Sequence, residues 1–348
     1  MVKKYKSIKN WESKNFDTII DVRSPSEFAN DHIIGAINCP VLSDQEREKV
    51  GSIYKKESTF KAKIIGSSLT ARNIADHIEK KFLEQKGSWQ PLIYCWRGGQ
   101  RSKAFSIILS EVGWRTYQLD GGYKEYRNSV VKFFENIGSK LKIILISGKT
   151  GSAKTKILQN IGELGGQILD LEGLANHKGS LLGKMPGLDQ PSQKLFESRL
   201  YFQLKSIKNR KLIFIESESS KIGNLYLPQI LLNKIKNSPA IEISADLNAR
   251  IMYLINDYKN YLVQDNSFIK LFKYADSKIG KQKVDKWRNY YKKKDWYNLA
   301  YYLITEYYDP LYAHNLKNKK NKIVKKMHFL KLNNQEINKF CLFLKKNF

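Results

Sequence analysis

Three cysteines in 348 residues, Cys39, Cys95 and Cys341, are too few for a disulfide framework, and no Cys-x-x-Cys pair supports a cysteine zinc site. No apolar run approaches the length of a membrane span, and no apolar signal core follows Met1-Val2-Lys3-Lys4-Tyr5-Lys6. No membrane partner is therefore expected, and the protein is expected to be cytoplasmic. Internal repeats and low-complexity linkers are lacking too. Acid is scarce: 33 Asp and Glu stand against 61 Lys and Arg, a formal net charge of +28. A field this positive attracts polyanions, nucleic acid first among them. The chain is also rich in Lys, Asn and Ile together, which AT-rich coding produces without selection for binding; charge alone leaves both readings standing. Hydrophobic residues make up 42%, an ordinary globular share, and the length suffices for two domains.

What is present alternates between strand and helix patterns. Residues 17–22 read as a buried strand, and the capping box Ser24-Pro25-Ser26-Glu27 starts a helix after it. Ser43-Asp44-Gln45-Glu46 repeats the signal. Helical periodicity runs over 67–86 through Leu69, Ile74, Ile78 and Phe82. A strand over 91–94, a helix through Phe105 and Leu109, a strand over 117–119 and a helix after Gly121-Gly122 follow. The pattern restarts near residue 138 with a strand over 141–146; further strands are expected at 167–171, 211–215 and 240–243. Beyond about 246 the reading is helical and basic, with a last strand at 328–332. The expected fold is α/β: a parallel-sheet domain over 1–137, then a second α/β domain over 138–348 with a helical, basic C-terminal part.

Two loops carry chemistry. In Cys95-Trp96-Arg97-Gly98-Gly99-Gln100-Arg101-Ser102, a strand delivers a cysteine to a glycine loop that opens a helix. Backbone N–H groups curled around the sulfur, the helix N-terminus, Arg97 and Arg101 all favour thiolate over thiol, the form that carries a second chalcogen atom. Gly148-Lys149-Thr150-Gly151-Ser152-Ala153-Lys154-Thr155 has the P-loop order of strand, glycine loop, Lys-Thr and helix. Gly148, Thr150, Gly151, Ser152, Ala153, Lys154 and Thr155 are the candidate phosphate-binding residues, with Thr155 the candidate Mg²⁺ ligand. Ala153 occupies the second glycine position, where a Cβ is strained if the backbone needs positive φ. Glu216 or Glu218, after the apolar stretch 212–215, is placed to hold the metal through water. His177, in the polar segment 170–180, is a candidate anion contact. In the stretch 286–297, Arg288, Lys292, Lys293 and Lys294 are candidate RNA phosphate contacts. A core stripe of Trp287, Tyr290, Tyr297, Tyr301 and Tyr308 is the competing reading of its aromatics.

Together these motifs resemble the tRNA 2-selenouridine synthases, a rhodanese-like domain fused to a P-loop domain. The segments Asp21-Val22-Arg23-Ser24-Pro25, Cys95-Trp96-Arg97-Gly98-Gly99, Asp120-Gly121-Gly122-Tyr123, Thr150-Gly151-Ser152-Ala153-Lys154-Thr155, Asp170-Leu171-Glu172-Gly173, Gln190-Pro191-Ser192-Gln193, Glu216-Ser217-Glu218-Ser219 and Tyr308-Asp309-Pro310-Leu311-Tyr312 run in the family's order. Ala153 departs from it, since glycine is usual there. The resemblance implies replacement of the sulfur of wobble 2-thiouridine in tRNA by selenium. Geranyl diphosphate first alkylates that sulfur, selenophosphate supplies the selenium, and Cys95 matches the cysteine that carries a selanyl group. The P-loop would then hold a prenyl diphosphate, with Mg²⁺ at Thr155. A geranyl chain needs an apolar slot, for which Leu195, Phe196, Leu200, Tyr201 and Phe202 are suitable, though also suited to plain core. A selenophosphate-supplying enzyme is an expected partner. The competing functions are a rhodanese-type sulfurtransferase coupled to an ATP-dependent P-loop domain acting on RNA, and a non-catalytic RNA-binding module.

Overall fold

Parallel strands buried on both faces read as continuous apolar runs, and the two most buried runs of this chain sit at the centres of two sheets. The computed structural model describes residues 5–137, 141–180, 182–185, 187–207, 212–216, 220–258, 267–316 and 321–348. It divides into two compact units, Met1–Phe133 with Glu197–Arg199, and Phe134–Phe196 with Leu200–Phe348.

The first unit holds β1 (Lys6–Ile8), β2 (Thr18–Asp21), α1 (Pro25–Asn30), β3 (Ile37–Asn38), α2 (Asp44–Lys56), α3 (Thr59–His77), β4 (Pro91–Tyr94), α4 (Gln100–Glu111), β5 (Tyr117–Leu119) and α5 (Gly122–Asn136). Its sheet is parallel throughout, in the order β1-β5-β4-β2-β3. All four residues of β4 are buried. Ile20, Ile93, Phe105 and Leu109 lie in the core between sheet and helices. Both capping boxes form: the Ser24 N–H donates to Glu27 Oε2 at 3.1 Å and the Ser43 N–H to Glu46 Oε2 at 2.8 Å. The helix expected at 67–86 starts earlier, at Thr59, because Ser58 caps it by accepting the Lys61 N–H; a π turn carries it on through Ile78–Phe82.

The second unit holds β6 (Lys142–Gly148), α6 (Lys154–Glu163), β7 (Gln167–Leu169), α7 (Leu171–Ala175), α8 (Gln193–Ser206), β8 (Leu212–Glu216), the short antiparallel pair β9 (Lys221–Ile222) and β10 (Leu225–Tyr226), α9 (Gln229–Lys236) and β11 (Ala240–Ala245). There follow α10 (Leu247–Asp257), α11 (Ser267–Ile279), α12 (Lys281–Lys292), α13 (Trp296–Tyr302), α14 (Asp309–Leu316), β12 (Ile323–Phe329) and α15 (Asn334–Asn347). The five-stranded sheet is again parallel, β12-β11-β6-β8-β7. The strand expected at 167–171 stops at Leu169, since Asp170 caps α7 by accepting the Gly173 N–H at 2.7 Å. The last strand lies at 323–329 rather than 328–332, paired with β11 at the sheet edge. No helix among the described residues is long and apolar enough to cross a membrane.

In both sheets the chemistry-bearing loop leaves the carboxyl end of a central strand and opens a helix, β4 into α4 and β6 into α6. Open α/β sheets place ligands at these ends.

Candidate functional site

The Cys95 loop is pinned from below. The Tyr123 N–H donates to the Cys95 carbonyl at 2.8 Å and the Lys124 N–H to the Trp96 carbonyl at 3.0 Å, tying the loop to the start of α5. This approach needs two glycines. Gly98 and Gly122 both have positive φ, and a Cβ at Gly122 would lie 2.2 Å from the Cys95 carbonyl oxygen. The Cys95 side chain is buried, but its sulfur meets polar groups: the Gly99 N–H at 3.2 Å and the Ser102 hydroxyl at 3.1 Å. Gln118 Nε2 in turn donates to Ser102 Oγ at 2.8 Å and to the Gly98 carbonyl at 2.8 Å. Donors aimed at sulfur suit a sulfur carrying negative charge. Cys341 lacks such donors and Cys39 has only Lys81 Nζ at 3.7 Å; burial pushes both thiols up, Cys341 to about 11.

The two arginines expected to act on Cys95 differ. Arg97 is exposed and has no ion-pair partner among the described residues. Arg101 instead pairs with Glu27 Oε2 at 2.8 Å, so its charge is answered by a carboxylate 74 positions away in sequence. Sequence reasoning missed the role of Arg23. This buried guanidinium grips Asp21, donates to the Asp31 carbonyl at 2.6 Å, and lies 4.0 Å from the Tyr123 ring centroid.

Strand, glycine loop and helix follow one another in the expected order, β6 into α6, and Ala153 takes the strained backbone that the sequence raised. Ala153 sits at φ +59°, the left-handed region, immediately before α6. Ser152 Oγ and Lys154 Nζ both donate to the Lys149 carbonyl, at 2.8 and 3.4 Å, holding the lysine over the loop. A cavity of ≈ 430 Å³ opens beside the loop, lined by Thr150 through Thr155 and by Asp170, Glu172, Lys178, Tyr258 and Tyr308. The loop also has a brace that sequence reasoning missed. Arg250 of α10, nearly fully buried, donates from Nε to the Thr150 carbonyl at 2.9 Å. Asp309 holds the same guanidinium with two bonds, 3.0 and 2.6 Å, and also takes Lys149 Nζ at 3.1 Å. The motif 308–312 was legible as a segment; its partner Arg250 carried no local signal.

Thr155 Oγ1 lies 3.1 Å from Glu172 Oε2 and 3.0 Å from Glu216 Oε2. The Glu172 N–H donates to Glu216 Oε1 at 3.2 Å. One hydroxyl proton cannot serve both carboxylates. Burial pushes Glu216 up to about 8, and the charges of Glu172 and then Asp170 add to it. Glu218 lies outside the described residues. Among the described residues no group of three or more His, Cys, Asp or Glu is arranged to hold a metal alone. One hydroxyl and two carboxyl groups, with Glu216 releasing its proton to the cation, nonetheless fit Mg²⁺, which keeps waters and shares its shell with ligand phosphates. His177 Nδ1 accepts the Gly179 N–H at 3.1 Å, so that ring shapes its own loop.

Next to the phosphate cavity lies a smaller apolar slot of ≈ 70 Å³, lined by Leu182, Leu254, Phe268, Leu299, Leu303 and Ile304 among others. Thr150, Ser180, Leu254, Tyr258 and Tyr308 line both. The residues first considered for such a slot sit elsewhere: Leu195, Phe196, Leu200 and Tyr201 are core, and Phe202 is exposed.

On α12 the expected RNA contacts separate. Lys292, Lys293 and Lys294 are exposed, whereas Arg288 is held by Asp276 at 2.5 Å and Asp285 at 2.6 Å. Trp287 is core, while Tyr297 and Tyr301 are exposed, so the aromatics form no single stripe.

A parallel sheet presenting a cysteine in a glycine loop, followed along the chain by a parallel sheet presenting a P-loop, defines a rhodanese-like domain joined to a P-loop α/β domain. Family models agree: residues 4–129 match the rhodanese-like domain and residues 141–293 the tRNA 2-selenouridine synthase AAA domain. A tRNA 2-selenouridine synthase of Shewanella frigidimarina is 32% identical, covering 88% of this chain and 90% of its own. One from Sulfurovum sp. is 30% identical, covering 89% and 92%. The chain belongs to the tRNA 2-selenouridine synthase family.

Proposed function

We propose that the protein converts wobble 2-thiouridine in tRNA to 2-selenouridine in two stages, S-geranylation from geranyl diphosphate and then selenation from selenophosphate. The observation that carries the first stage is the apolar slot adjoining the phosphate cavity. The slot is lined mainly by aliphatic and aromatic side chains, the surface a prenyl chain buries, and the loop beside it suits the diphosphate. Each buried CH₂ contributes about 0.8 kcal/mol, so even half a geranyl chain in the slot and its neck supplies several kcal/mol.

Diphosphate is the leaving group of alkylation, and charge gathers on its oxygens as the carbon–oxygen bond breaks. The Lys154 ammonium and the loop N–H groups other than that of Ser152, which donates to the Lys149 carbonyl, would meet that charge. Bound by Thr155 with Glu172 and Glu216 through water, Mg²⁺ would add further neutralisation there. A ring C=S sulfur leaves poorly; once alkylated it leaves as a thiolate. At the Cys95 loop the selenium of selenophosphate adds to the ring carbon as geranylthiolate leaves, and water then cleaves the Se–P bond, releasing phosphate and leaving C=Se. The Gly99 N–H and Ser102 hydroxyl favour the anionic chalcogen. Arg97 supplies a free positive charge at this loop, and Arg101 serves by fixing Glu27 and hence the start of α1. tRNA is drawn in by the net charge of +28, with Lys292, Lys293 and Lys294 as phosphate contacts. The protein works as a cytoplasmic enzyme fed by a selenophosphate-producing one.

The test is mass spectrometry of tRNA nucleosides after incubation of thiolated tRNA with geranyl diphosphate, with selenophosphate, and with both. Geranylthiouridine in the first mixture and selenouridine in the third are expected. ATP turnover with no RNA alkylation would instead favour a sulfurtransferase coupled to an ATP-dependent domain. Lys154→Ala is expected to slow alkylation at least tenfold.

A further inference from the structure

Trp96, the residue after Cys95, is 39% exposed, a costly state for the largest apolar side chain. It is not a loose side chain. Its carbonyl is fixed by the Lys124 N–H, and its ring packs on Tyr123 at a centroid distance of 5.2 Å and an interplanar angle of 33°. Tyr123 is fixed in turn: its hydroxyl donates to Asp31 Oδ2 at 2.7 Å, and the buried Arg23, locked to Asp21, lies over its ring. Two buried ion-paired or hydrogen-bonded groups therefore hold one aromatic ring, and that ring holds an exposed indole. Beside the indole, Arg97 is exposed with no ion-pair partner among the described residues.

We propose that Trp96 is a stacking platform for an unpaired nucleobase of the RNA substrate, with Arg97 taking an adjoining phosphate. A small inorganic chalcogen donor has no use for a rigid aromatic face next to the nucleophile. A flat π ligand does, and a platform fixed before binding loses little rotamer freedom when the base arrives. The inference rests on the tRNA reading above and names how that RNA is held at the cysteine loop. It requires the target nucleotide to be single-stranded, since a paired base offers no free face.

The experiment titrates the full-length protein with an anticodon stem-loop carrying 2-thiouridine at the wobble position, and separately with the same sequence annealed to its complement. Trp96→Ala is expected to weaken stem-loop binding about 5- to 100-fold, with Trp96→Phe restoring most of it and the duplex showing no difference between variants. Of the tryptophan fluorescence quench on stem-loop binding, the part contributed by Trp96 among the six tryptophans should be lost in Trp96→Phe. Arg97→Ala should reduce the salt dependence of binding. If the stem-loop binds and Trp96→Ala binds as tightly as the unaltered protein, the platform is refuted while the tRNA reading stands. If the stem-loop fails to bind the unaltered protein, both fall.

Discussion

Ala153 pays a conformational penalty that glycine would not. At φ +59° a Cβ crowds the following carbonyl, at a cost of roughly 1–2 kcal/mol. Ala153→Gly is therefore expected to raise stability by about 1 kcal/mol and to keep or improve inorganic pyrophosphate affinity, read as melting temperature with and without pyrophosphate. A large loss of affinity would show that the loop has adapted to alanine, whose side chain packs in the core with Ile144 and Ile157. Cys95→Ser separates the two proposed stages. Alkylation uses the RNA's own sulfur, so geranylthiouridine should still form while selenouridine disappears; equal loss of both products would refute the division. Cys95 and the P-loop were legible because strand, glycines and functional residue follow one another within ten positions. What surrounds them was not. Arg101 meets Glu27 across 74 positions, Thr155 meets Glu216 across 61, and Arg250 meets Thr150 across 100. No local pattern encodes such pairs; only the sheet order brings them together.

The phosphate loop is short, and its shape comes from the elements around it. From α10, Arg250 fixes the Thr150 carbonyl, and Asp309 at the start of α14 fixes Arg250. Breaking a buried pair from one side leaves an uncompensated charge, at a cost of about 3–5 kcal/mol. Asp309→Asn, which keeps the shape, is expected to cost less than Arg250→Met by chemical denaturation, yet both should raise KM for the diphosphate donor. Unchanged KM in both would remove the brace from the account. Where β8, α6 and α7 meet, Glu216 is held protonated up to about pH 8 by burial first and Glu172 second. An acid raised in the folded state binds more protons folded than unfolded between its two pKa values. The contribution of Glu216 to stability therefore falls as pH rises from about 4.5 to about 8. Glu216→Gln should flatten that fall in ligand-free thermal unfolding and raise the melting temperature at pH 9, while weakening any Mg²⁺-dependent stabilisation. A steeper fall in the variant would contradict this protonation state. Element types were readable from periodicity, but ends were set by caps and pairing: Ser58 moved a helix start forward, and Asp170 ended a strand two residues early.

Over the whole molecule the excess of 28 positive charges distinguishes polyanion binding from a bias of coding composition only through its salt response. Charges that touch phosphate release counterions; charges spread on a solvated surface do not. Each single-strand phosphate contact contributes about −0.7 to the slope of log affinity against log salt. Lys292, Lys293 and Lys294 are exposed and adjacent, whereas Arg288 is already neutralised by Asp276 and Asp285. Changing the three lysines together to glutamine should therefore lower the magnitude of the slope for tRNA by up to about 2, and Arg288→Gln should leave it unchanged. The reverse pattern would mean that the ion pairs of Arg288 open on RNA binding. A slope near zero for the unaltered protein would mean that the charge excess reflects composition alone, and that tRNA is held by stacking and shape.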